Sequence, residues 1–211
     1  YKRQVDNSLF LYHDVCTNGI GYVDLMFKTD SIAPEQIPYL GLLKSVLGYV
    51  DTENYTYGEL FNEINANTGG INCGVEVFDR ADSTEEFQAM FSVRGKALYT
   101  KMDFLFKMIG EILNSSKLED TKRLYEIVAS VKSRAQVNLT GAGHSTAVLR
   151  AAAYSSPMAA FQDEMAGIGY YQFIEKLEKD FEQRKEETVE ELCKLMKKIL
   201  RPENFMISYT G

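Results

Sequence analysis

The fold class of this chain is decided by INCGVEVFDRADSTEEFQAMFSV, residues 71–93. Apolar side chains occupy alternate positions in both halves of this stretch: Ile71, Cys73, Val75 and Val77, then Phe87, Ala89, Phe91 and Val93. Successive side chains of a strand point to opposite faces of a sheet, so each half predicts a strand with one buried face. The residues from Asp79 to Ser83 predict the turn of an antiparallel hairpin.

Three further stretches predict strands on either side of this hairpin. Leu9–Tyr12 is a short apolar run, and the residues from Val23 to Lys28 alternate between apolar and polar. Near the end of the chain, Phe205–Tyr209 predicts a final strand. Buried backbone groups need hydrogen-bond partners, so we expect this last strand to pair with one of the earlier ones.

The pattern after residue 33 changes to helical spacing. Pro34 suits a first helical turn because its missing N–H would be unpaired there. Thr56 and Glu59 predict a capping box, and Asn67–Gly70 predicts the end of that second helix. One-sided apolar stripes predict the first helix and three later ones: Ile37, Leu40, Leu43, Leu47 and Val50; Met102, Leu105, Phe106, Ile109 and Leu113; Leu124 to Ala135; and Glu182 to Leu200.

This order of elements predicts an α+β fold. Strands come first, followed by two helices, two strands, several helices and one strand. Such an order is typical of a two-layer sandwich in which helices cover one face of a mostly antiparallel sheet. No repeat or flexible linker interrupts the 211 residues, so we expect a single domain over residues 1–211.

Composition narrows the range of partners. The net charge is −7, from 30 acidic and 23 basic residues, which argues against a nucleic-acid binder. No apolar run reaches the length of a membrane span, so a membrane is not an expected partner. The three cysteines are too few and too widely spaced for a disulfide framework, which favours a reducing compartment such as the cytoplasm without identifying it.

Three stretches of the sequence carry a family resemblance. The first runs from Thr17 to Tyr22, and the second is Asn67–Gly70 with Ile71 and the strand that follows. The third begins at Gly141-Ala142-Gly143-His144-Ser145 and continues through these residues: Arg150–Ala153, Ser156, Pro157, Glu164, Gly167 and Tyr170–Phe173. Together they resemble the third domain of the presequence-protease and falcilysin branch of the insulinase-like (pitrilysin, inverzincin) zinc metallopeptidases.

The resemblance implies a fold, a parent activity and a set of partners. Family members repeat an α+β sandwich four times, and two halves close around an unstructured peptide substrate. Zinc belongs to the first domain, where an H-x-x-E-H helix and a downstream Glu form the site. The chain starts at Tyr1 without Met. We therefore expect a fragment of a four-domain peptidase, with the parent's other domains and peptide substrate as its partners.

The sequence departs from the zinc motif at the equivalent helix. Leu40, Leu43 and Lys44 stand where a zinc-binding copy would carry His, Glu and His. A charged Lys cannot ligate zinc, and Leu can neither ligate it nor act as a general base. We therefore assign no catalytic residue, no metal ligand and no substrate-binding residue to this chain, and we expect no cofactor in it.

Other motifs permit hypotheses about a metal site, a catalytic pair or a phosphate loop. In each case a purely structural role of the same residues is the better interpretation. His13 and Cys16 with His144 could supply metal ligands, and Cys73 with His144 could form a nucleophile pair. The glycines of 141–144 could be taken for a phosphate loop, but the Lys and preceding strand of such a loop are missing.

Two functions from different classes follow. The first is a non-catalytic domain of a zinc metalloendopeptidase that degrades short unstructured peptides, where it packs on the fourth domain and forms part of the chamber wall. The alternative is a stand-alone protein-interaction module without enzymatic activity. Self-association of the isolated domain is left open, since separation from partner domains would expose an apolar patch.

Overall fold

The computed structural model describes residues 2–5, 8–80 and 83–211, and side chains from residues 8–79 and 86–211. Ala81 and Asp82, at the centre of the predicted turn, lie outside the described residues. The strands are β1 (Lys2–Val5), β2 (Ser8–His13), β3 (Ile20–Lys28), β4 (Ile71–Arg80), β5 (Ser83–Leu98) and β6 (Phe205–Thr210). They form a single sheet in the order β1-β2-β6-β3-β5-β4.

The pairing of the sheet is mostly antiparallel, as predicted. β4 pairs with β5 through the predicted hairpin, and Cys73 lies opposite Val93. β3 is antiparallel to both β5 and β6. The exception is β6, which runs parallel to β2 on its other side. The final strand is therefore an interior strand that joins the β1–β2 hairpin to the rest of the sheet.

The helices follow the predicted order with finer divisions. They are α1 (Ile37–Val46), α2 (Tyr57–Asn67), α3 (Met102–Ser115), α4 (Thr121–Gly141), α5 (Gly143–Ala152), α6 (Pro157–Ala166), α7 (Ile168–Lys179) and α8 (Phe181–Ile199). Short 3-10 turns cover Pro34–Gln36, Tyr99–Lys101 and Pro202–Asn204. No helix of the described residues combines the length and the hydropathy that a membrane crossing requires.

Local sequence signals explain where α2 starts and ends. The backbone N–H of Glu59 donates to the Thr56 hydroxyl, and the Glu59 carboxylate accepts from the Thr56 backbone N–H, which completes the predicted capping box. After the helix, Gly70 adopts a φ of +103°. This left-handed conformation suits glycine and turns the chain into β4.

The core lies between one face of the sheet and the helices, which confirms the α+β sandwich. Alternate residues of β3 and β5 supply the sheet side, and α1, α3, α7 and α8 supply much of the helical side. The most deeply buried large side chains are Phe91, Leu40, Leu42, Leu43, Leu60, Leu105, Met108, Ile112, Leu124, Ile174, Leu177 and Leu192.

Two details of the predicted helical stripes were wrong. α1 ends at Val46, so Leu47 and Val50 are buried by the turn after the helix, where Gly48 has a φ of +85°. Phe106 was predicted to be in the core, but 44% of it is exposed, and Met108 takes the central buried position of α3.

Candidate functional site

The helix that resembles the zinc helix faces the core. Leu40 and Leu43 of α1 are 0% and 1% exposed and belong to the main hydrophobic cluster. Their side chains therefore pack against apolar neighbours, where neither a metal nor a water molecule would find a ligand. Gly41 between them meets Tyr170 so closely that an added Cβ would lie 2.7 Å from the ring. α1 therefore serves to pack the core.

Lys44 is the one charged residue of α1. Its side chain is half-buried and has no ion-pair or hydrogen-bond partner among the described residues. Burial lowers the pKa of its ammonium group, because desolvation disfavours the charged form. An uncompensated ammonium at this position repels a divalent cation.

The structure does not bring the candidate metal ligands together. His13 ends β2 and is exposed, Cys16 lies in the loop after it, and His144 is exposed on α5. The Cys16 thiol lies 3.8 Å from the side-chain oxygen of Asn18. Over residues 8–79 and 86–211, the structure has no group of three His, Cys, Asp or Glu side chains that could hold a metal.

Cys73 is unsuited to nucleophilic chemistry. It lies on β4 with its side chain packed against the core, and burial raises the pKa of its thiol to about 12. The thiol is therefore protonated at neutral pH, whereas a nucleophilic cysteine needs its thiolate. His144 is exposed on α5 and is not hydrogen-bonded to this thiol.

The sheet face away from the helices carries a cross-strand charge cluster. Arg94 of β5 donates to the Asp24 carboxylate on β3 at 2.8 Å and lies 3.0 Å from the Glu76 carboxylate on β4. The other oxygen of Asp24 and the hydroxyl of Ser92 are buried without a hydrogen-bond partner among the described residues. Three strands thus converge on one polar surface, which we call the open face.

A shallow pocket follows this charge cluster along the open face. Its volume is about 480 Å³, and its lining includes Tyr22, Arg94, Lys96 and Ser208. The pocket therefore presents hydroxyl, ammonium and guanidinium groups on three adjacent strands. Such groups can donate hydrogen bonds to a polar ligand such as a peptide backbone.

A second groove runs beside β4, which is an edge strand. Its volume is about 490 Å³, and its lining combines residues 70–76 with Lys44, Phe61 and Arg134. Phe61 is 56% exposed, so the groove offers apolar as well as cationic surface. We call this feature the edge groove.

The glycine-rich third stretch forms a helix junction. The carboxylate of Asp163 on α6 is 1% exposed and accepts hydrogen bonds from the backbone N–H groups of Ile168 and Gly169 at 3.0 and 3.1 Å. Arg150 of α5 donates to the same carboxylate at 2.7 Å. A Cβ on Gly167 would lie 2.4 Å from this carboxylate, which explains the glycine. This junction is a structural clamp in which one buried carboxylate joins α5, α6 and α7.

The charge cluster, Asp163 and Arg134 were missed by sequence analysis. Arg94 meets Asp24 only through strand pairing, because 70 positions separate them along the chain. Asp163 carried a weak signal, since it precedes Gly167 and Gly169 in the third stretch. An acidic residue close to the start of a following helix is a good partner for its N-terminal N–H groups.

The comparisons with known proteins settle the family. The model of the family described as Peptidase M16C associated matches residues 1–177. The chain belongs to this peptidase-associated family. The match covers most of the chain and includes β1 to β5 and α1 to α6 in full. The predicted relationship to the presequence-protease branch is thereby confirmed.

Relatives of this M16C-associated chain are much longer proteins. Protein HypA of Clostridium perfringens is 34% identical over 210 residues, which is 100% of this chain and 21% of HypA. Mitochondrial presequence proteases of Saccharomyces cerevisiae and Yarrowia lipolytica are 30% and 29% identical, over 92% and 80% of this chain and 20% and 17% of their own length. The chain thus spans about a fifth of the curated relatives it matches.

A solved structure supports the fold of the M16C-associated chain. The crystal structure of a conserved protein from Enterococcus faecalis V583 matches with a TM-score of 0.69 at 13% identity. The match covers 100% of this chain and 48% of that one. At this level of identity the likeness concerns the fold alone.

Proposed function

We propose that this chain is a non-catalytic domain of a zinc metalloendopeptidase that degrades short unstructured peptides. The observation that carries the proposal is the state of α1 in a member of the M16C-associated family. Leu40 and Leu43 occupy the core, and Lys44 adds an uncompensated positive charge, at the positions that the resemblance aligns with the zinc motif. Zinc and the general base then belong to another domain of the parent protein.

The role of the domain in this proposal is architectural. Helices cover one face of the sheet, so the open face remains available to line a peptide chamber. The polar cluster of Arg94, Asp24 and Glu76 supports this assignment, because a wall that contacts many peptide sequences benefits from backbone-directed polar groups. The domain packs on the fourth domain of the parent and excludes folded substrates by size.

Metal analysis and a cleavage assay test the non-catalytic part. The purified chain is incubated with added zinc and a fluorogenic unstructured peptide, and bound zinc is measured after dialysis. We expect neither stoichiometric zinc nor zinc-dependent cleavage. Stoichiometric zinc together with cleavage that a chelator abolishes would overturn the proposal.

Thiol protection tests the chamber wall in the parent peptidase. In a background in which exposed Cys16 is replaced by Ser, Tyr22→Cys places a thiol on the open face and Tyr154→Cys places one in the turn after α5. A bound peptide that closes the chamber should slow maleimide labelling at position 22 and leave position 154 unchanged. Equal labelling rates with and without peptide at position 22 would contradict a wall on this face.

A further inference from the structure

β4 is an unprotected sheet edge. It spans ten residues, Ile71–Arg80, and pairs with β5 on one side while the sheet order ends on the other. Alternate residues of such a strand direct backbone N–H and C=O groups away from the sheet, where they can pair with another extended chain. The sequence INCGVEVF contains neither proline nor lysine, the residues that commonly block an edge.

The edge groove lies along this strand and has the size and surface for a short segment. It encloses about 490 Å³ beside residues 70–76. Two aromatic side chains of its lining, Tyr49 and Phe61, are 50% and 56% exposed. Exposed aromatic groups beside a free backbone edge offer contacts for the side chains of an added strand.

The charges in the edge groove are unbalanced. Lys44 and Arg134 line it, and neither has a hydrogen-bond or ion-pair partner among the described residues. The one carboxylate in the lining, Glu76, is already engaged by Arg94 at 3.0 Å. The groove is therefore a cationic site on a chain whose net charge is −7. An anionic group is the complement that this site lacks.

We propose that the edge groove binds an extended acidic peptide segment, which adds as a strand to β4 and places a carboxylate against Lys44 and Arg134. The free strand edge requires that the ligand be extended, and the two uncompensated cations require that it carry a carboxylate. Two cations are too few for the phosphate contacts of a nucleic acid. This inference goes beyond the proposed function, because a chamber wall on the open face requires no docking groove at the sheet edge.

Charge recognition is tested with two matched peptides. Both are fluorescein-labelled nonapeptides of alternating Thr and Val with an amidated end, and the central residue is Glu in one and Gln in the other. Fluorescence anisotropy with the purified chain should show the Glu peptide binding about fivefold more tightly at low salt, the order expected for one partly exposed ion pair. Lys44→Gln and Arg134→Gln should each reduce this preference, and the double variant should abolish it.

Lys122→Gln is the matched control. Lys122 is exposed on α4, the helix that carries Arg134, and does not line the groove. Its replacement removes one positive charge and should leave the preference for the Glu peptide unchanged. An equal loss of preference in this variant would show that net charge, and not the groove, selects the peptide, and would overturn the proposal.

Strand addition is tested by changing the peptide backbone alone. One form of the Glu peptide carries N-methyl groups on its odd residues and another on its even residues. Each form therefore lacks the N–H donors along one side of the extended peptide. One form should lose binding and the other should retain it, because an added strand pairs along one edge only. Equal binding of both forms would overturn strand addition without any change to the protein.

Two further results would overturn the inference. One is equal affinity of the Glu and Gln peptides, or no saturable binding of either. The other is a concentration-dependent dimer in sedimentation that the Lys44→Gln, Arg134→Gln double variant disrupts, which would assign the groove to a second copy of this chain. Neither result bears on the zinc and cleavage assay, so failure here is distinguishable from failure of the proposed function.

Discussion

The guanidinium of Arg150 lies 2.7 Å from the Asp163 carboxylate, which is 1% exposed. The two residues belong to neighbouring helices, α5 and α6, and the same carboxylate accepts from the first N–H groups of α7. One side chain thus joins three helices. This relationship fixes the junction of α5, α6 and α7 through one buried carboxylate.

Replacing the acidic member of this pair should destabilise the chain strongly. Asp163→Ala removes the acceptor of three hydrogen bonds, and it leaves the buried N–H of Gly169 and the partly buried N–H of Ile168 unpaired at the start of α7. We expect the free energy of unfolding to fall by about 3 kcal/mol. Urea denaturation measures the change. Asp14→Ala, at an exposed position, should shift it by less than about 0.5 kcal/mol, and equal effects would contradict the clamp.

Two glycines, Gly58 within α2 and Gly70 after it, should respond to substitution in opposite directions. Gly70→Ala forces a Cβ into a φ of +103° and should cost about 1 to 2 kcal/mol. Gly58→Ala lies within α2, where an added Cβ meets no atom within 4 Å, and should stabilise by roughly 0.5 kcal/mol. Thermal unfolding compares the two variants. Stabilisation by Gly70→Ala would contradict the left-handed turn before β4.

Glu111 should contribute a pH dependence to stability. Hydrogen bonds from Thr52 and Asn54 hold the pKa of its carboxyl below the ordinary value in the folded chain. A lowered folded pKa gives stability that is present above the unfolded pKa of about 4.3 and is lost as pH falls through the folded pKa. Urea midpoints between about pH 5 and pH 3 should therefore fall less steeply for Glu111→Gln.

The control for that experiment is Glu119→Gln. Glu119 is exposed just before α4, and its replacement removes the same kind of group. Its profile should follow that of the unmodified chain over the same pH range. A Glu111→Gln profile as steep as this one would contradict the stabilising role of the hydrogen bonds to Thr52 and Asn54.

Lys44 should lower the stability of the chain. Lys44→Met retains an unbranched side chain of similar length and removes a desolvated charge that has no partner among the described residues. We therefore expect a gain of about 1 kcal/mol at neutral pH. The lowered folded pKa also predicts that stability of the unmodified chain rises with pH between that pKa and the unfolded value of about 10.4. Urea denaturation at neutral and alkaline pH should show this rise in the free energy of unfolding. The rise should be smaller in Lys44→Met, because that variant lacks the contribution of Lys44.

Sequence patterns predicted what depends on neighbours along the chain. Thr56 and Glu59 are three residues apart, so the capping box was visible in the sequence and is present in the structure. The hairpin of β4 and β5 followed from alternation within a single stretch. Phe106 was misplaced because residues adjacent in a helix differ by about 100° in direction, and the buried stripe of α3 passes through Leu105 and Met108.

The features that matter for binding depend on distant parts of the chain. The pairing of β6 with β2 and β3 joins residues almost 200 positions apart, and no local pattern encodes such a register. The edge groove likewise assembles α1, α2, α4 and β4 around Lys44 and Arg134. The sequence showed that Lys44 departs from the zinc motif. Only the folded structure shows that no counterion lies beside it among the described residues.

The position of β6 has a consequence for biosynthesis. A ribosome delivers β3, β4, β5 and all eight described helices before Phe205, yet β1 and β2 can join the sheet only beside the last six-residue strand. The nascent chain must therefore keep its N-terminal hairpin unattached until translation has passed Thr210. Residues 1–177, the part matched by the family model, end within α7 and lack this strand. Expression of that segment alone would yield a sheet split in two.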